Sequence, residues 1–371
     1  MQMVPRIPSD GYRINNMKKH AIIPIFIPHK GCPNDCVFCN QRKITARTDD
    51  VTPDDARKVI EQWLSTLSEV ETVEVAFYGG SFTGIPVEEQ TVFLAVAEEF
   101  KKAGRIQKIH LSTRPDYIDE KILDNLKTHS VDVIELGVQS FDDEVLRLSN
   151  RGHDSACVYR ACNMIHDYGF ELGIQLMIGL PGDSLESCLY SARETVKLKP
   201  SLARLYPTIV IDDTELYEQY KCGEYVPLSR EEAILWTKEM YKILDEAGIT
   251  IMRVGLKSTD IIGDGGAVNG GTYHPAFRQL VEGRIARERI EEQLDALLNS
   301  QGGYASHELR VFSPVQKMCA EVSSAPSWFS NMIGHIAENK EYFNEKYPAL
   351  EITYKENDRL EPGRFKVTLL K

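Results

Sequence analysis

Cys32, Cys36 and Cys39 fall within eight residues, in the stretch HKGCPNDCVFCNQ from His29 to Gln41. The spacing C-x3-C-x2-C lets one loop aim three thiolates at one centre, and thiolates are ligands for zinc and for iron–sulfur clusters. A structural zinc site closes with four ligands, commonly as paired C-x2-C units. No second pair exists here, and His29 is the candidate for a fourth ligand. An iron–sulfur cluster normally takes four cysteines, so three leave one iron open. Cys157, Cys162, Cys188, Cys222 and Cys319 have no cluster spacing among themselves, and free cysteine is commonly a small buried hydrophobe. Cys319, with His307 upstream, is the least secure of these exclusions. Eight cysteines in 371 residues are too sparse for a disulfide scaffold.

The elements that must hold such a loop are read from periodicity. Apolar or β-branched runs at Ala21–Ile27, Val73–Tyr78, Lys108–Leu111, Val131–Leu136, Leu172–Ile178, Ala203–Ile211 and Ile249–Val254 predict strands. Helical segments are expected between them, at Pro53–Leu67, Val87–Lys102, Ile118–Lys127, Ser155–Tyr168, Leu185–Leu198 and Arg230–Ala247. Thr52-Pro53 and Ser229 supply start signals. Repeated strand-then-helix order predicts an α/β chain built on a parallel (β/α) barrel, partial or complete. Cys32 then follows the first strand at its C-terminal end, where barrel active sites lie. The expected organisation is an N-terminal extension over 1–20, the barrel over 21–258, and over 259–371 a glycine-rich loop, a helical segment and a small α+β extension. In that extension a helix around Trp328–Tyr342 and a hairpin of Leu350–Tyr354 with Arg364–Leu370 are expected, the turn signals being Asn357-Asp358 and Pro362-Gly363.

Further stretches sit at the predicted strand ends. Phe77-Tyr-Gly-Gly-Ser-Phe-Thr83 follows the second strand, so that Gly79 and Gly80 permit a close backbone approach with Ser81 beside them. The pair also suits a plain turn. Ser112-Thr-Arg-Pro-Asp116 and Glu135-Leu-Gly-Val-Gln-Ser140 end the third and fourth strands, and Asn150-Arg-Gly-His-Asp154 precedes a helix. Gly173-Ile-Gln-Leu-Met-Ile-Gly-Leu-Pro181 reads as a buried strand ending in a turn and contains Gln175.

Together these residues resemble the radical S-adenosylmethionine superfamily. Phe38 before the third cysteine fits its cluster motif, and Gly173–Pro181 is similar to its fifth-strand G-x-I-x-G-x-P element, which lies against adenine. Within the superfamily, Ser112–Asp116, Glu135–Ser140 and Asn150–Asp154, with Leu205-Tyr-Pro-Thr208, Asp213–Tyr217 and Gly223-Glu-Tyr225, resemble the catalytic subunit of Elongator, which modifies wobble uridines in tRNA. The resemblance covers approximately Ile22 to Arg253. It implies a [4Fe-4S] cluster on Cys32, Cys36 and Cys39. S-adenosylmethionine would be held by Phe38, the Gly79–Gly80 backbone, Ser81, Ser112, Gln139 at the ribose, Arg151 at the carboxylate, and Gln175. The chemistry implied is reductive cleavage to a 5′-deoxyadenosyl radical that abstracts hydrogen, with electrons from a donor such as flavodoxin or ferredoxin. The bland alternatives are that Gln139 caps a strand end and Arg151 is a solvated charge at a helix start.

The departures bear on the substrate. Elongator and the coproporphyrinogen dehydrogenases carry a Glu where this chain has Ser112. The stretch after the barrel shows no phosphate-binding glycine loop for CoA, so acetyl transfer is not expected. Three roles stay open: modification of tRNA or a nucleoside, small-molecule radical chemistry, or a non-catalytic cluster-bearing protein. The formal charge of −12 restricts any RNA site to a local patch. No apolar run approaches membrane-span length, and the N-terminus has no signal-peptide core, so no membrane partner and a cytoplasmic location are expected. Gly263–Gly271 suits either a lid or a surface loop. The helix at Arg278–Leu298 mixes signs of charge and is expected to be solvated, with internal ion pairs.

Overall fold

The computed structural model describes residues 20–27, 32, 36–40, 51–256, 267–300 and 318–370. Its main sheet uses the strands β1 (His20–Ile27), β2 (Thr72–Gly79), β3 (Lys108–Thr113), β4 (Val133–Gln139), β5 (Glu171–Ile178) and β6 (Leu202–Pro207). After the short β7 (Ile209–Ile211) comes β8 (Thr250–Val254), which completes it. The sheet has seven strands in the order β1-β2-β3-β4-β5-β6-β8. Every neighbouring pair is parallel, which makes a half-barrel with β1 and β8 at its edges. The partial alternative of the sequence reading is the one found.

Helices link the strands, and local chemistry sets where they begin. Thr52 forms a capping box with Asp55 at the start of α1 (Pro53–Thr66). Next come α2 (Val87–Lys102), α3 (Glu120–Thr128), α4 (Asp143–Leu148), α5 (Ser155–Asp167), α6 (Leu185–Lys197), α7 (Glu215–Cys222) and α8 (Arg230–Glu246). Ser229 caps α8 reciprocally with Glu232. Strand side chains alternate between faces. Ile23, Ile25, Val75, Phe77, Ile109, Leu111, Ile134, Leu136, Ile174 and Leu176 are buried together in the largest core. The intervening positions Glu74, His110, Glu135 and Arg204 are also buried, and they face one another instead.

Four expectations change. The run Ala203–Ile211 is two strands broken at Thr208, and β7 leaves the sheet to pair antiparallel with β9 (Val268–Gly271). That pairing takes in the described end of the glycine-rich stretch; Gly263–Gly266 lie outside the described residues. The C-terminal hairpin is not formed. β10 (Met318–Ser324) lies between β11 (Leu350–Glu356), to which it is parallel, and β12 (Phe365–Leu370), to which it is antiparallel. The helix expected around Trp328–Tyr342 is instead two short helices, α10 (Phe329–Ile333) and α11 (Glu338–Lys346), divided at Gly334, where φ is 83°.

The long charged helix α9 (Phe277–Ser300) is a bridge and not a solvated rod. Val281 and Ile285 join the main core, while Ala286, Ile290, Leu294 and Leu298 join a second core under β10–β12. Its Arg278 pairs with Glu282 inside the helix. Its other charges reach outward, Glu288 to Lys238, Arg284 to Glu231, Arg287 to Glu338 and Arg289 to Asp245.

Candidate active site

The C-terminal ends of the strands surround a cavity of about 200 Å3. Cys32, Cys36 and Cys39 line it, as do Phe38, Gly79, Gly80, Ser112, Gln139, Arg151 and Gln175. Residues from β2 to β5, with the loops that follow β1, β2 and β4, therefore reach one space. Ser81 does not line it. It is buried beneath, its hydroxyl 2.8 Å from Thr113 Oγ1 and accepting from Arg114 N at 3.0 Å, so it braces the turn after β2.

Neighbours on both sides fix the cysteine loop. Val37 N donates to Ser149 O at 3.2 Å, and Leu216 N donates to Val37 O at 2.7 Å. Cys39 N donates to Cys36 O at 2.9 Å, closing a tight turn. Val37 and Phe38 pack on Val210, Leu216 and Tyr225. Asn40 Nδ2 donates to Asp212 O at 3.3 Å. His29 and His307 lie outside the described residues, and Cys319 is on β10, in the separate C-terminal sheet.

The glycine that ends β2 is dictated by packing. Gly79 has φ 125°, and a Cβ there would stand 2.2 Å from Ile27 O. Gly80 N donates to the same oxygen at 3.1 Å, which locks the strand end that leads to the cysteines.

Arg151 is buried and is not a solvated charge. Its Nη1 donates to Cys36 Sγ at 3.1 Å and its Nη2 to Gly137 O. Its Nε is buried with no hydrogen-bond partner, and so is Gln139 Oε1. Gln139 has φ 73°, uncommon for a residue other than glycine and a conformation that stores strain at functional sites. Ser112 and Gln175 are joined, Gln175 Nε2 donating to Ser112 Oγ at 3.0 Å and also to Glu135 Oε1. Glu135 itself is fully buried and held by Arg204, so it cannot stand in for a carboxylate at Ser112.

Below the cavity a polar ladder crosses the barrel interior. Glu74 Oε1 is 2.5 Å from His110 Nδ1, and His110 Nε2 stands 3.4 Å from Glu135 Oε2, within ion-pair range but without hydrogen-bond geometry. Arg204 Nε donates to Glu135 at 2.7 Å, and Arg204 Nη2 to Tyr78 OH. Burial opposes the His110 charge, but the Glu135 and Glu74 carboxylates outweigh it and push the imidazole up to about 9. Burial likewise opposes the Glu135 charge, yet Arg204, His110 and Gln175 hold it down at about 2. His153, beside the site, goes the other way. Burial, then the Arg151 and Arg114 charges, lower it to about 4.

The sequence reading assigned no role to Arg114, Met177 or Tyr206, which also line the cavity. All three lie inside stretches already singled out, Ser112–Asp116, Gly173–Pro181 and Leu205–Thr208, but their direction depends on the folded sheet.

Among the described residues, no group of three or more His, Cys, Asp or Glu side chains is arranged to hold a single metal ion. The three thiols instead border a cavity, as a polynuclear group several ångströms wide would need. The chemistry of the donor set, the orphaned Gln139 Oε1 and the glycine backbone therefore fit a cluster with a polar organic ligand. No helix among the described residues is long and apolar enough to cross a membrane.

Comparison with known proteins agrees. Residues 26–194 match the radical SAM superfamily and residues 200–287 a radical SAM C-terminal domain. A tRNA uridine(34) acetyltransferase from Methanocaldococcus infernus is 33% identical over 198 residues, 48% of this chain and 37% of that protein. Elongator complex protein 3 from Homo sapiens is 30% identical over 261 residues, 58% of this chain and 47% of that one. The chain thus spans less than half the length of these relatives. The structure of Methanocaldococcus infernus Elp3 with an N-terminal deletion superposes with a TM-score of 0.59 at 23% identity, covering 74% of this chain and 64% of that one, which shows a shared fold. The half-barrel, the cysteine loop at its mouth and both family matches agree that this chain is an enzyme of the radical S-adenosylmethionine superfamily.

Proposed function

We propose that this enzyme modifies tRNA, or a nucleoside of it, by hydrogen abstraction at the cavity above the half-barrel. Superfamily membership implies a [4Fe-4S] cluster and S-adenosylmethionine. The observation that carries the residue assignment is the convergence of Cys32, Cys36, Cys39, Gln139 and Arg151 on one cavity. The three thiolates would hold the cluster, and the Gly79–Gly80 backbone, Gln139, Arg151, Ser112 and Gln175 the cofactor. Bound there, the pair supplies one-electron reductive chemistry that yields a hydrogen-abstracting radical.

The chain's own residues position and shield. Val37 and Phe38, packed on Val210, Leu216 and Tyr225, close one wall against water. Arg151 fixes the Cys36 sulfur through Nη1, and its Nε is left for a carboxylate, to which a guanidinium is matched. Gln139 Oε1 is left for a hydroxyl donor such as a ribose. In this reading residues 21–258 carry the chemistry and 259–371 an added segment. The electron donor is a flavodoxin or ferredoxin, and the location is the cytoplasm. The tRNA substrate is supported by the names of the relatives that align with this half of their length.

The test is anaerobic reconstitution with iron and sulfide, followed by dithionite and S-adenosylmethionine, with 5′-deoxyadenosine measured with and without bulk tRNA. Product stimulated by tRNA, and lost in Cys32→Ala, Cys36→Ala and Cys39→Ala, is expected. Product unaffected by tRNA would redirect the substrate to a small molecule. Cleavage surviving a cysteine substitution would refute the cluster assignment.

A further inference from the structure

Two guanidiniums converge on one thiol. Cys36 is 5% exposed, and its sulfur receives Arg151 Nη1 at 3.1 Å and Arg114 Nη1 at 3.8 Å. Arg151 already has a place beside the cofactor. Arg114 has none in the reading above, yet it is 4% exposed and its fork is directed from several sides. Its Nε and Nη2 each donate to an oxygen of Asp116 at 2.9 Å. Nη2 also donates to the Arg151 carbonyl, which leaves Nη1 for the sulfur. The Arg114 backbone N–H is tied to Ser81 Oγ, so the root of the side chain is fixed to the same turn as Gly79 and Gly80.

A fixed positive charge and an N–H donor beside a cluster sulfur have a definite electrostatic effect. Adding one electron makes the cluster one unit more negative. A nearby cation stabilises that state more than the oxidised one, and hydrogen bonds to cluster sulfurs act in the same sense. The Asp116 carboxylate, on the far side of the fork, partly offsets the cation while holding it in place. We propose that Arg114, braced by Asp116, is a positioning residue that raises the reduction potential of the cluster through Cys36. The proposal rests on the reading that the three cysteines hold a cluster.

The experiment reconstitutes wild type, Arg114→Met, Arg114→Lys and Asp116→Asn anaerobically, and assays iron and sulfide per chain. Each is then titrated potentiometrically with mediators in the absence of S-adenosylmethionine, following visible absorption and the spin signal of the one-electron-reduced cluster. Arg114→Met is expected to move the midpoint to a more negative value, and Arg114→Lys by less. Asp116→Asn is expected to move it the other way, because the guanidinium then loses its counter-charge. Loss of packing alone does not predict shifts of opposite sign. Variants that load like wild type but titrate at its potential, or shift together in one direction, overturn the proposal. If wild type loads but neither Arg114→Met nor Asp116→Asn does, the pair is only a structural brace and the proposal also fails. Wild type that takes up no cluster overturns the cluster reading itself, and the tuning role with it.

Discussion

At the scale of single residues, Gly79 and Gln139 show opposite uses of a positive φ. At Gly79 the requirement is steric, since a Cβ would stand 2.2 Å from Ile27 O, far inside contact distance. Gly79→Ala should therefore cost at least about 1–3 kcal/mol from backbone strain alone. It should also push apart the ends of β1 and β2, detectable as a lower denaturant midpoint and a lower iron content after reconstitution. Gln139 adopts φ 73° with a Cβ in place and an orphaned Oε1 at the cavity, so strain and an unmet acceptor coincide. The strain is expected to serve binding. Gln139→Gly should unfold at the same or a slightly higher denaturant concentration while S-adenosylmethionine affinity, measured by calorimetry, falls about tenfold or more, as loss of one good hydrogen bond predicts. A variant that loses stability and keeps its affinity would show that Gln139 serves the strand end alone.

At the scale of elements, the cysteine loop depends on contacts distant in sequence. Leu216, fully buried on α7, packs with Val37 and donates its backbone N–H to the Val37 carbonyl. Leu216→Ala should cost about 2–5 kcal/mol if the cavity does not collapse, and iron retention on gel filtration should drop with it. Normal iron retention despite lower stability would mean that the backbone bonds of Val37 and the Asn40 contact hold the loop without the Leu216 side chain. Nothing in the sequence around Cys32–Cys39 announces this clamp, because β7 and α7 follow the loop by well over a hundred residues. What could be read was local. Alternating apolar runs located the strands, capping residues located helix starts, and the first strand placed the cysteines at the barrel mouth. What could not be read was pairing. Leu350–Tyr354 and Arg364–Leu370 look like a hairpin, but β10 takes the place between β11 and β12, and that insertion is decided by the common core with α9. Likewise the sequence reading assigns Arg114 no role and Arg151 only one at the cofactor carboxylate, and that both turn toward Cys36 is visible only in the fold.

At the scale of the whole molecule, two buried histidines are expected to set a pH optimum for folding. His110, in the ladder that ties β2, β3, β4 and β6 together, has its pKa raised from 6.5 to about 9, the carboxylates of Glu135 and Glu74 outweighing burial. A raised histidine contributes stability that is fully present below 6.5 and is lost as the pH rises through about 9. His153 is lowered from 6.5 to about 4 by burial and by the Arg151 and Arg114 charges, so its contribution is present above 6.5 and is lost as the pH falls through about 4. Each shift corresponds to roughly 3–4 kcal/mol between its limits. Glu74 and Glu135, held at about 2 against the cost of burial, add a further loss only on the acid side, below about 4.5. Urea unfolding of the cluster-free chain as a function of pH should accordingly peak near 6.5 and decline on both sides. The two limbs are separable. His110→Gln should lower stability throughout and flatten the limb from 6.5 to 9, because no proton is then released on unfolding there. His153→Gln should flatten the limb from 6.5 to 4 and leave the alkaline limb intact. An alkaline limb that persists in His110→Gln would mean that the imidazole in the ladder is neutral.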